Sequence, residues 1–390
     1  MARELKPPGG QVDTTVVSTA HPVTARSRPA PAPAPRRPTS NVRRALVGTL
    51  LALGFLLLDV YASGHGILRP IRAGAKGPGA GLIARDFPNL TAPDEVGLDG
   101  QQFYALARDP FHPDTVAKNL DNPQYRYSRP LYPLLAWALH PSGGGPGLVL
   151  ALVAVSLAAI FLGSLAVGKL SDHLHGPPWL PLLFPILPGA TWSLTSSVAD
   201  GLAVALSLLT VLFFVTNRSK LAWCAAVAAV LTRETTILVP VALFLSRRRK
   251  EDLPIVVLPA LAFAAWTGIV HLVVPAGGLP SERLVFPLTG LVDAARERWF
   301  LGKELIGMAS TLSAFVIGTY VVLRRRGPVE LRWVVAVQLG FLSLCSGAVL
   351  GDDFGGPRST LMLLTVGLCL LVAGSRDRYL ASTSAQGLPS

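Results

Sequence analysis

The chain has 390 residues, of which 51% are hydrophobic and only 15% are charged, and its formal net charge is +12. Soluble domains carry about 25% charged residues, so this composition excludes an ordinary soluble enzyme and indicates a membrane protein with several spans. The positive charge does not indicate nucleic-acid binding. The basic residues lie at the ends of apolar runs, where they set the orientation of spans in the lipid bilayer.

Apolar runs predict the helices. A helix needs roughly 20 apolar residues to cross the hydrocarbon core of a bilayer. Runs close to this length cover 44–62, 146–168, 197–215, 254–275, 305–323, 331–350 and 359–374. Shorter apolar pieces, typical of half-spans or tightly paired helices, cover 131–139, 178–192, 221–231 and 235–246. We therefore predict an all-α polytopic membrane protein of about ten transmembrane or half-membrane helices.

Basic clusters predict the orientation. Residues 1–42 form a basic, proline-rich tail, which indicates a disordered cytoplasmic segment before a retained first span. Later basic clusters are Lys169, Arg218 with Lys220, 247–250, 324–326, and Arg376 with Arg378. All of them share the cytoplasmic side if 131–139 does not cross fully and 221–246 forms a hairpin that turns at TRETT. The transmembrane domain is then 43–374, and 375–390 is a second cytoplasmic tail.

This orientation leaves five segments outside the cytoplasm. They are 63–129, 192–200, 232–236, 276–304 and 351–358. The acidic residues and arginines that suggest chemistry fall in these segments, whereas the inner side carries no glycine-rich phosphate loop. The first of the five is too long for a simple connector. Its glycine-rich first half predicts a flexible stretch.

The sequence LDGQQFYALARDPF at 98–111 predicts a short amphipathic helix over 99–108 that lies on the membrane surface. Asp99 stands at the start of this helix, where it is either an N-cap or a general base. Asp94 and Glu95 lie just upstream, and this acidic group offers ligands for a divalent cation. Tyr104, with Phe103, either contacts a substrate or embeds in the interface.

Downstream arginines leave a similar choice. Arg126 and Arg129, in YRYSRPLYPLLAWAL, either snorkel to the interface or bind a phosphate or pyrophosphate. Arg233 either pairs with Glu234 at the hairpin tip or faces a cleft, where it binds a ligand.

Two later positions complete the candidates. Asp200 either caps the start of a span or belongs to a site, since ionisable groups within spans tend to be functional. Arg358 either binds phosphate or pairs with Asp353. The cysteines Cys224, Cys345 and Cys369 lie in apolar runs without metal-ligand spacing, so neither a disulfide nor a metal site is predicted from them.

Three stretches together resemble a known family. LDGQQFYALARDPF, YRYSRPLYPLLAWAL and LTRETTILVPVALFL are similar to bacterial membrane proteins of the GT-C glycosyltransferase superfamily, in a branch of cell-envelope glycosyltransferase-like proteins. The resemblance spans 44–246 and continues more weakly to 374. It implies transfer of a sugar from a polyprenyl-phosphate carrier to a glycan, lipid or protein acceptor of the envelope. It also implies that transfer takes place on the outer face of the bacterial cytoplasmic membrane.

The resemblance assigns roles by position. Asp99 matches the acidic catalytic residue of the family's first outer loop, and Arg126 with Arg129 resembles an arginine pair of that branch. Many members carry an Asp-x-Asp or Glu-Asp pair, but here the acids are Asp94-Glu95 and Asp99. Which acid is the base, and whether Mg²⁺ or Mn²⁺ takes part, therefore stay open.

We accordingly expect an inverting transferase in which Asp99 deprotonates the acceptor hydroxyl. Arginines among Arg126, Arg129, Arg233 and Arg358 would stabilise the leaving polyprenyl phosphate. The alternative is a transporter or flippase of lipid-linked saccharides, which predicts charges near the bilayer midplane and often internal repeats.

Overall fold

The computed structural model describes residues 39–278, 284–302 and 304–385. These residues form α-helices and short 3₁₀ helices joined by turns, and no strand occurs within those ranges. The predicted all-α class is therefore confirmed for this part of the chain. The predicted tail 1–42 lies outside the described residues except for its last four, which belong to the first helix.

The α-helices of the described residues are numbered in chain order. They are α1 Thr39–Ser63, α2 Ala80–Asp86, α3 Asp99–Arg108, α4 Pro113–Val116, α5 Pro123–Tyr127, α6 Leu131–Leu139, α7 Pro146–His173, α8 Leu183–Ile186 and α9 Pro188–Thr195. The second half comprises α10 Asp200–Val215, α11 Ser219–Thr232, α12 Leu238–Arg247, α13 Pro254–Val273, α14 Thr289–Glu297, α15 Leu305–Leu323, α16 Val329–Ser343, α17 Gly347–Gly351 and α18 Gly355–Ala385. Short 3₁₀ helices are Gly66–Ile71, Ala117–Asn119, Leu180–Leu182, Glu234–Ile237, Lys250–Asp252 and Trp299–Leu301.

Five helical stretches among the described residues are long and apolar enough to cross a membrane. They are Ser40–Ser63, Pro146–His173, Lys250–Val273, Leu305–Leu323 and Gly355–Ala373. Each coincides with one of the long apolar runs in the sequence. The runs at 197–215 and 331–350 form the shorter helices α10 and α16, of 16 and 15 residues. The apolar helices therefore indicate a membrane-embedded protein.

Burial separates central from peripheral helices. α7 packs against α1, α6 and α10, and α18 packs against α9, α15 and α16, so these two helices occupy the interior. In contrast, α1 and α13 direct apolar side chains outward, among them Leu50, Leu58, Leu261 and Leu272. Apolar faces exposed to this extent are typical of helices in a lipid bilayer. Contact with lipid tails, unlike contact with water, carries no unfavourable free energy for an apolar side chain.

The segment 64–130, which precedes α6, packs onto one end of α7. Leu68 and Ile71 of the first 3₁₀ helix share a hydrophobic cluster with Leu148 of α7. The flexibility predicted for the glycine-rich half stays a prediction, but the backbone is closely packed within it. A Cβ placed on Gly74 would lie 2.3 Å from the backbone oxygen of Glu95, so glycine serves close backbone approach here.

The helix expected over 99–108 forms as α3, but its predicted position on the membrane surface is wrong. Residues from Gly100 to Ala107 are all buried. The Phe103 ring meets the Tyr132 ring of α6 edge-on, with centroids 5.3 Å apart. The apolar stripe of α3 therefore faces protein, because α6 and α7 provide the partner surface.

The connection between α11 and α12 forms a turn at TRETT, as predicted, through the 3₁₀ helix Glu234–Ile237. The two helices do not form the expected tight pair: α11 packs on α10 and α13, whereas α12 packs mainly on α16. α6 has nine residues and therefore extends about 14 Å, which is too short to cross a bilayer.

The bundle has two chemically different ends. At one end, Arg247 donates to Glu330 Oε1 at 3.2 Å and to Asn217 Oδ1 at 3.4 Å. These bonds link the α10–α11, α12–α13 and α15–α16 connections, which carry basic clusters predicted to be cytoplasmic. α10 extends about 24 Å from this end to the other, where its first residue, Asp200, pairs with Arg233.

Candidate functional site

A cavity of about 770 Å³ lies at the end of the bundle that carries Asp200. Seven residues singled out from the sequence line it: Asp99, Arg126, Arg129, Asp200, Arg233, Glu234 and Arg358. They come from the segment 64–130, the start of α10, the α11–α12 connection and the start of α18. All four regions were predicted to lie on the same side of the membrane, and the structure brings them together.

Asp99 is the first residue of α3, and the N-cap position belongs to Leu98. The Asp99 side chain makes no capping bond, so the N-cap interpretation is wrong. Instead, Oδ1 accepts from Arg126 Nη1 at 2.9 Å and Oδ2 accepts from Arg358 Nη1 at 2.8 Å. One carboxylate thus joins the segment 64–130 to the start of the last helix.

These contacts set the charge state of Asp99. Burial alone would raise the pKa of this carboxyl, but the guanidinium groups of Arg358 and Arg126 outweigh burial and hold the pKa well below its ordinary value. The side chain is 24% exposed, and it lines the cavity. Asp99 is therefore an ionised carboxylate at neutral pH that a ligand in the cavity can reach.

Arg126 is held by a second acid that sequence reasoning missed. Its Nε donates to Asp121 Oδ1 at 2.8 Å and its Nη2 to Asp121 Oδ2 at 2.6 Å, a bidentate pair. The sequence DNP at 121–123 indicates the start of a helix, and this was the signal from which Asp121 could have been found. Asn122 caps α5 by accepting from the Tyr125 backbone N–H at 3.2 Å, and Pro123 occupies the first turn. Asp121 is thereby fixed one residue before the cap.

Arg129 forms the other bidentate pair. Its Nε and Nη2 donate to the two carboxylate oxygens of Glu234 at 2.8 and 2.6 Å, and its guanidinium lies 4.2 Å from the Tyr125 ring centroid. Burial would raise the pKa of Glu234, but Arg129 lowers it to about 2. The simpler expectation that Glu234 pairs with its neighbour Arg233 is therefore wrong, since the partner comes from a different segment.

Asp200 is the fourth carboxylate that pairs with arginines lining the cavity. It pairs with Arg233 and accepts from Arg358 Nη1 at 3.4 Å. The alternative pairing of Arg358 with Asp353 is not found, because Asp353 Oδ1 accepts from the Gly307 backbone N–H at 2.7 Å. The guanidinium of Arg358 also lies 3.8 Å from the Phe354 ring centroid, which fixes its plane.

Eight charged residues line the cavity as an ion-pair cluster, in which six are linked through shared partners and Arg129 with Glu234 forms a separate pair. Its members are Asp99, Asp121, Arg126, Arg129, Asp200, Arg233, Glu234 and Arg358. Four arginines face four carboxylates, so the cluster is electroneutral. An anion that enters the cavity must therefore compete with a carboxylate for its guanidinium.

The other predicted residues do not line the cavity. Asp94 is exposed and pairs with Lys76 at 2.8 Å, and Glu95 borders a separate small hollow beside Arg72. Tyr104 is fully buried, and its hydroxyl donates to Asp86 Oδ2 at 2.8 Å and accepts from the Gly145 N–H at 2.6 Å. Asp353 holds the start of α15 through the contact described above.

The acidic group predicted as a cation site does not assemble. Asp94 and Glu95 lie away from Asp99, whose oxygens are engaged by arginines. Within the described ranges, no group of three or more His, Cys, Asp or Glu side chains is placed to share a metal ion. Asp94 and Glu95 are thus not placed with Asp99 to share a cation, and the participation of Mg²⁺ or Mn²⁺ stays a prediction.

Away from the cluster most of the cavity wall is apolar, and it includes Ala203, Val204, Val239, Phe341 and Met362. The cavity is thus charged near the helix ends and apolar farther into the bundle. Fold and site together define an all-helical membrane protein with an amphiphilic cavity at one end of its bundle. Comparisons with protein-family models, curated proteins and solved structures give no match.

Proposed function

We propose that this chain is a membrane glycosyltransferase that moves a sugar from a polyprenyl-phosphate carrier to a cell-envelope acceptor with inversion. The observation that supports it is the meeting of seven sequence-selected residues in one amphiphilic cavity. A polyprenyl-phosphate sugar carries an anionic phosphate, a neutral ring and an apolar chain. The arginines suit the phosphate, and the other walls of the cavity offer both polar and apolar partners for the ring and the chain.

The proposal includes a topology of about ten crossing or half-crossing helices in the bacterial cytoplasmic membrane. The N- and C-termini are cytoplasmic, and the cavity faces outward. This orientation is supported by the contacts at the Arg247 end of the bundle, since clustered Lys and Arg favour the cytoplasmic side. The cavity lies at the opposite end.

In the proposed reaction, an acceptor hydroxyl oxygen attacks the anomeric carbon of the donor sugar in line. The bond from that carbon to the phosphate oxygen breaks, and polyprenyl phosphate leaves with the electron pair. The hydroxyl proton passes to the Asp99 carboxylate. Arg126 and Arg358, which flank Asp99, stabilise the charge that grows on the leaving phosphate. No ATP is required, because the sugar–phosphate bond of the donor is already activated.

In the proposed reaction, binding of the donor also changes the basicity of Asp99. Two guanidinium groups make Asp99 a weak base in the ligand-free cavity. A bound phosphate competes for Arg126 and Arg358, because both form charge-assisted hydrogen bonds to phosphate oxygens as readily as to carboxylate. As these arginines turn to the phosphate, the pKa of Asp99 rises, and the carboxylate becomes a better proton acceptor. Donor binding thereby prepares the base.

The test is transfer by membrane vesicles that contain the full chain and envelope acceptors, supplied with radiolabelled polyprenyl-phosphate sugars. Asp99→Asn should lower the transfer rate by about 10²- to 10⁴-fold, the usual contribution of a general base. Asp94→Asn is the matched control, because Asp94 lies in the same segment but is exposed and paired only with Lys76. Its transfer rate should equal that of the wild type.

Two results would contradict the proposal. Full activity of a folded Asp99→Asn protein would remove Asp99 from the chemistry. Movement of intact, labelled lipid-linked sugar across the bilayer, with no product in any acceptor fraction, would identify the transporter alternative instead.

A further inference from the structure

The deep part of the cavity contains two uncharged polar side chains. Ser207 lies seven residues beyond Asp200 on α10, so it is about 10 Å farther into the bundle than the ion-pair cluster. Gln338 lies on α16, five residues before the helix ends at Ser343. Both side chains line the same cavity as the arginines. The two residues therefore place hydrogen-bonding groups among apolar walls.

Gln338 is an exception in its helix. The residues around it, from Trp333 to Leu339, are otherwise apolar, and Gln338 is only 7% exposed. No hydrogen bond joins its side-chain amide to any residue that the structure describes. An amide has two N–H donors and a carbonyl acceptor, and those of Gln338 stay accessible from the cavity that the residue lines. The side chain therefore points to a polar group that enters the cavity.

Ser207 is the second uncharged polar side chain that lines the cavity. It is 2% exposed, and its hydroxyl donates to the Ala203 backbone oxygen at 2.8 Å. The oxygen lone pairs of Ser207 can still accept a hydrogen bond, so the pair offers both donors and acceptors without charge. A hydrocarbon chain would leave the Gln338 amide unpaired, and a phosphate is better matched by the arginines. A neutral ring that carries hydroxyl groups satisfies this part of the cavity.

Resting on the glycosyltransferase function proposed above, we propose that Gln338 and Ser207 bind hydroxyl groups of the donor sugar, while the arginines of the ion-pair cluster hold its phosphate. The acceptor also carries hydroxyls, but its attacking oxygen belongs beside Asp99 at the end of the bundle. The assignment makes Gln338 a specificity residue for an uncharged sugar. A uronic acid would place a carboxylate, in addition to the donor phosphate, against the neutral amide.

The experiment measures binding to the purified full chain in detergent micelles. The probes are a short-chain prenyl-phosphate hexose and the same prenyl phosphate without a sugar. Gln338→Met keeps the length of the side chain and removes the amide. It should weaken binding of the sugar-bearing probe about three- to tenfold, the worth of one neutral hydrogen bond, and leave binding of the sugar-free probe unchanged.

Thr365→Val is the matched control. Thr365 is a fully buried polar residue of α18 that bonds to the Leu361 oxygen and does not line the cavity. Its substitution should alter binding of neither probe. In the transfer assay, Gln338→Met should raise the KM for the donor and leave the KM for the acceptor unchanged.

The outcomes separate this inference from the function on which it rests. Equal binding of the sugar-bearing probe by the wild type and Gln338→Met would overturn the sugar site and leave the transferase proposal standing. A raised acceptor KM with an unchanged donor KM would also overturn it and assign Gln338 to the acceptor. If the wild type binds neither probe, the transferase function fails, and the sugar site fails with it.

Discussion

Gly100 is the residue that lets Asp99 reach its arginines. It is buried at the second position of α3, and a Cβ built on it would lie 2.1 Å from the backbone oxygen of Ser196 and 2.8 Å from that of Ile71. Both obstacles are backbone atoms, which cannot rotate away as a side chain can. Gly100→Ala therefore forces α3 to move relative to the segment that precedes α10.

The size of this movement follows from the contact distances. Cβ atoms essentially never approach another heavy atom closer than 3.0 Å, so the start of α3 must shift by about 1 Å. The adjacent Asp99 now bonds to Arg126 at 2.9 Å and to Arg358 at 2.8 Å. A shift of about 1 Å stretches these contacts beyond hydrogen-bonding distance. We expect turnover to fall about 100-fold and stability to fall by about 1–3 kcal/mol.

The assays are sugar transfer and unfolding of the purified full chain in mixed detergent micelles. Gly81→Ala is the control, since Gly81 is exposed on α2 and a Cβ there meets nothing within 4 Å. That substitution should leave turnover unchanged and stabilise α2 slightly, because alanine is the better helix former. Wild-type turnover and stability of Gly100→Ala would refute the close packing of α3 against Ser196.

Two further predictions concern the Arg129–Glu234 pair. Arg129→Met and Glu234→Gln should each lower the unfolding free energy by about 2–3 kcal/mol, at the low end of the cost of breaking a buried pair because Glu234 is 29% exposed. In a double-mutant cycle the loss should be clearly less than additive, and additive losses would show that the two side chains do not interact. Because the folded pKa of Glu234 is about 2, below the model-peptide value of 4.5, its stabilising contribution is present above about pH 4.5 and is lost as pH falls toward 2. Unfolding midpoints measured from pH 3 to 7 should therefore fall less steeply at the acid end for Glu234→Gln than for the wild type, and equal slopes would contradict the low pKa.

The sequence was sufficient to predict features that depend on local patterns. Apolar runs predict where long helices lie, because a bilayer demands a continuous apolar length. The turn at TRETT and the start of α6 follow from local patterns as well. The charge pattern along the chain predicts that Asp200, Arg233 and Arg358 share one side of the membrane, and these three residues line one cavity.

Partner choice was not predictable, because it depends on contacts between distant segments. Arg358 reaches Asp99 across 259 positions, whereas the adjacent pair Arg233 and Glu234 separates to bind other partners. The position of α3 was missed for a related reason. An amphipathic stripe looks the same whether it faces lipid or protein, and only the surface of α6 and α7 decides between them.

The Asp-Gly dipeptide shows how one local pattern can have two causes. Asp followed by Gly is common at helix starts, and this suggested capping. In the structure neither residue caps α3: Asp99 bonds to two arginines, and Gly100 removes the side chain that would hold the helix away from Ser196. The two residues therefore act together. The glycine lets the start of α3 lie close to Ser196, and the aspartate thereby reaches Arg126 and Arg358.

Electroneutrality of the ion-pair cluster links stability to the proposed chemistry. In a chain with few charges, eight charged side chains gathered beside apolar helices are tolerable only when every charge has an opposite partner. A phosphate that enters as one more anion cannot simply add to this arrangement, so it must take guanidinium contacts from a carboxylate. Asp99 shares both of its arginines with other acids, since Arg126 also pairs with Asp121 and Arg358 also lies against Asp200. Those shared arginines can turn toward a phosphate without leaving their second acid, and for this reason the proposed mechanism has donor binding release Asp99 rather than another carboxylate.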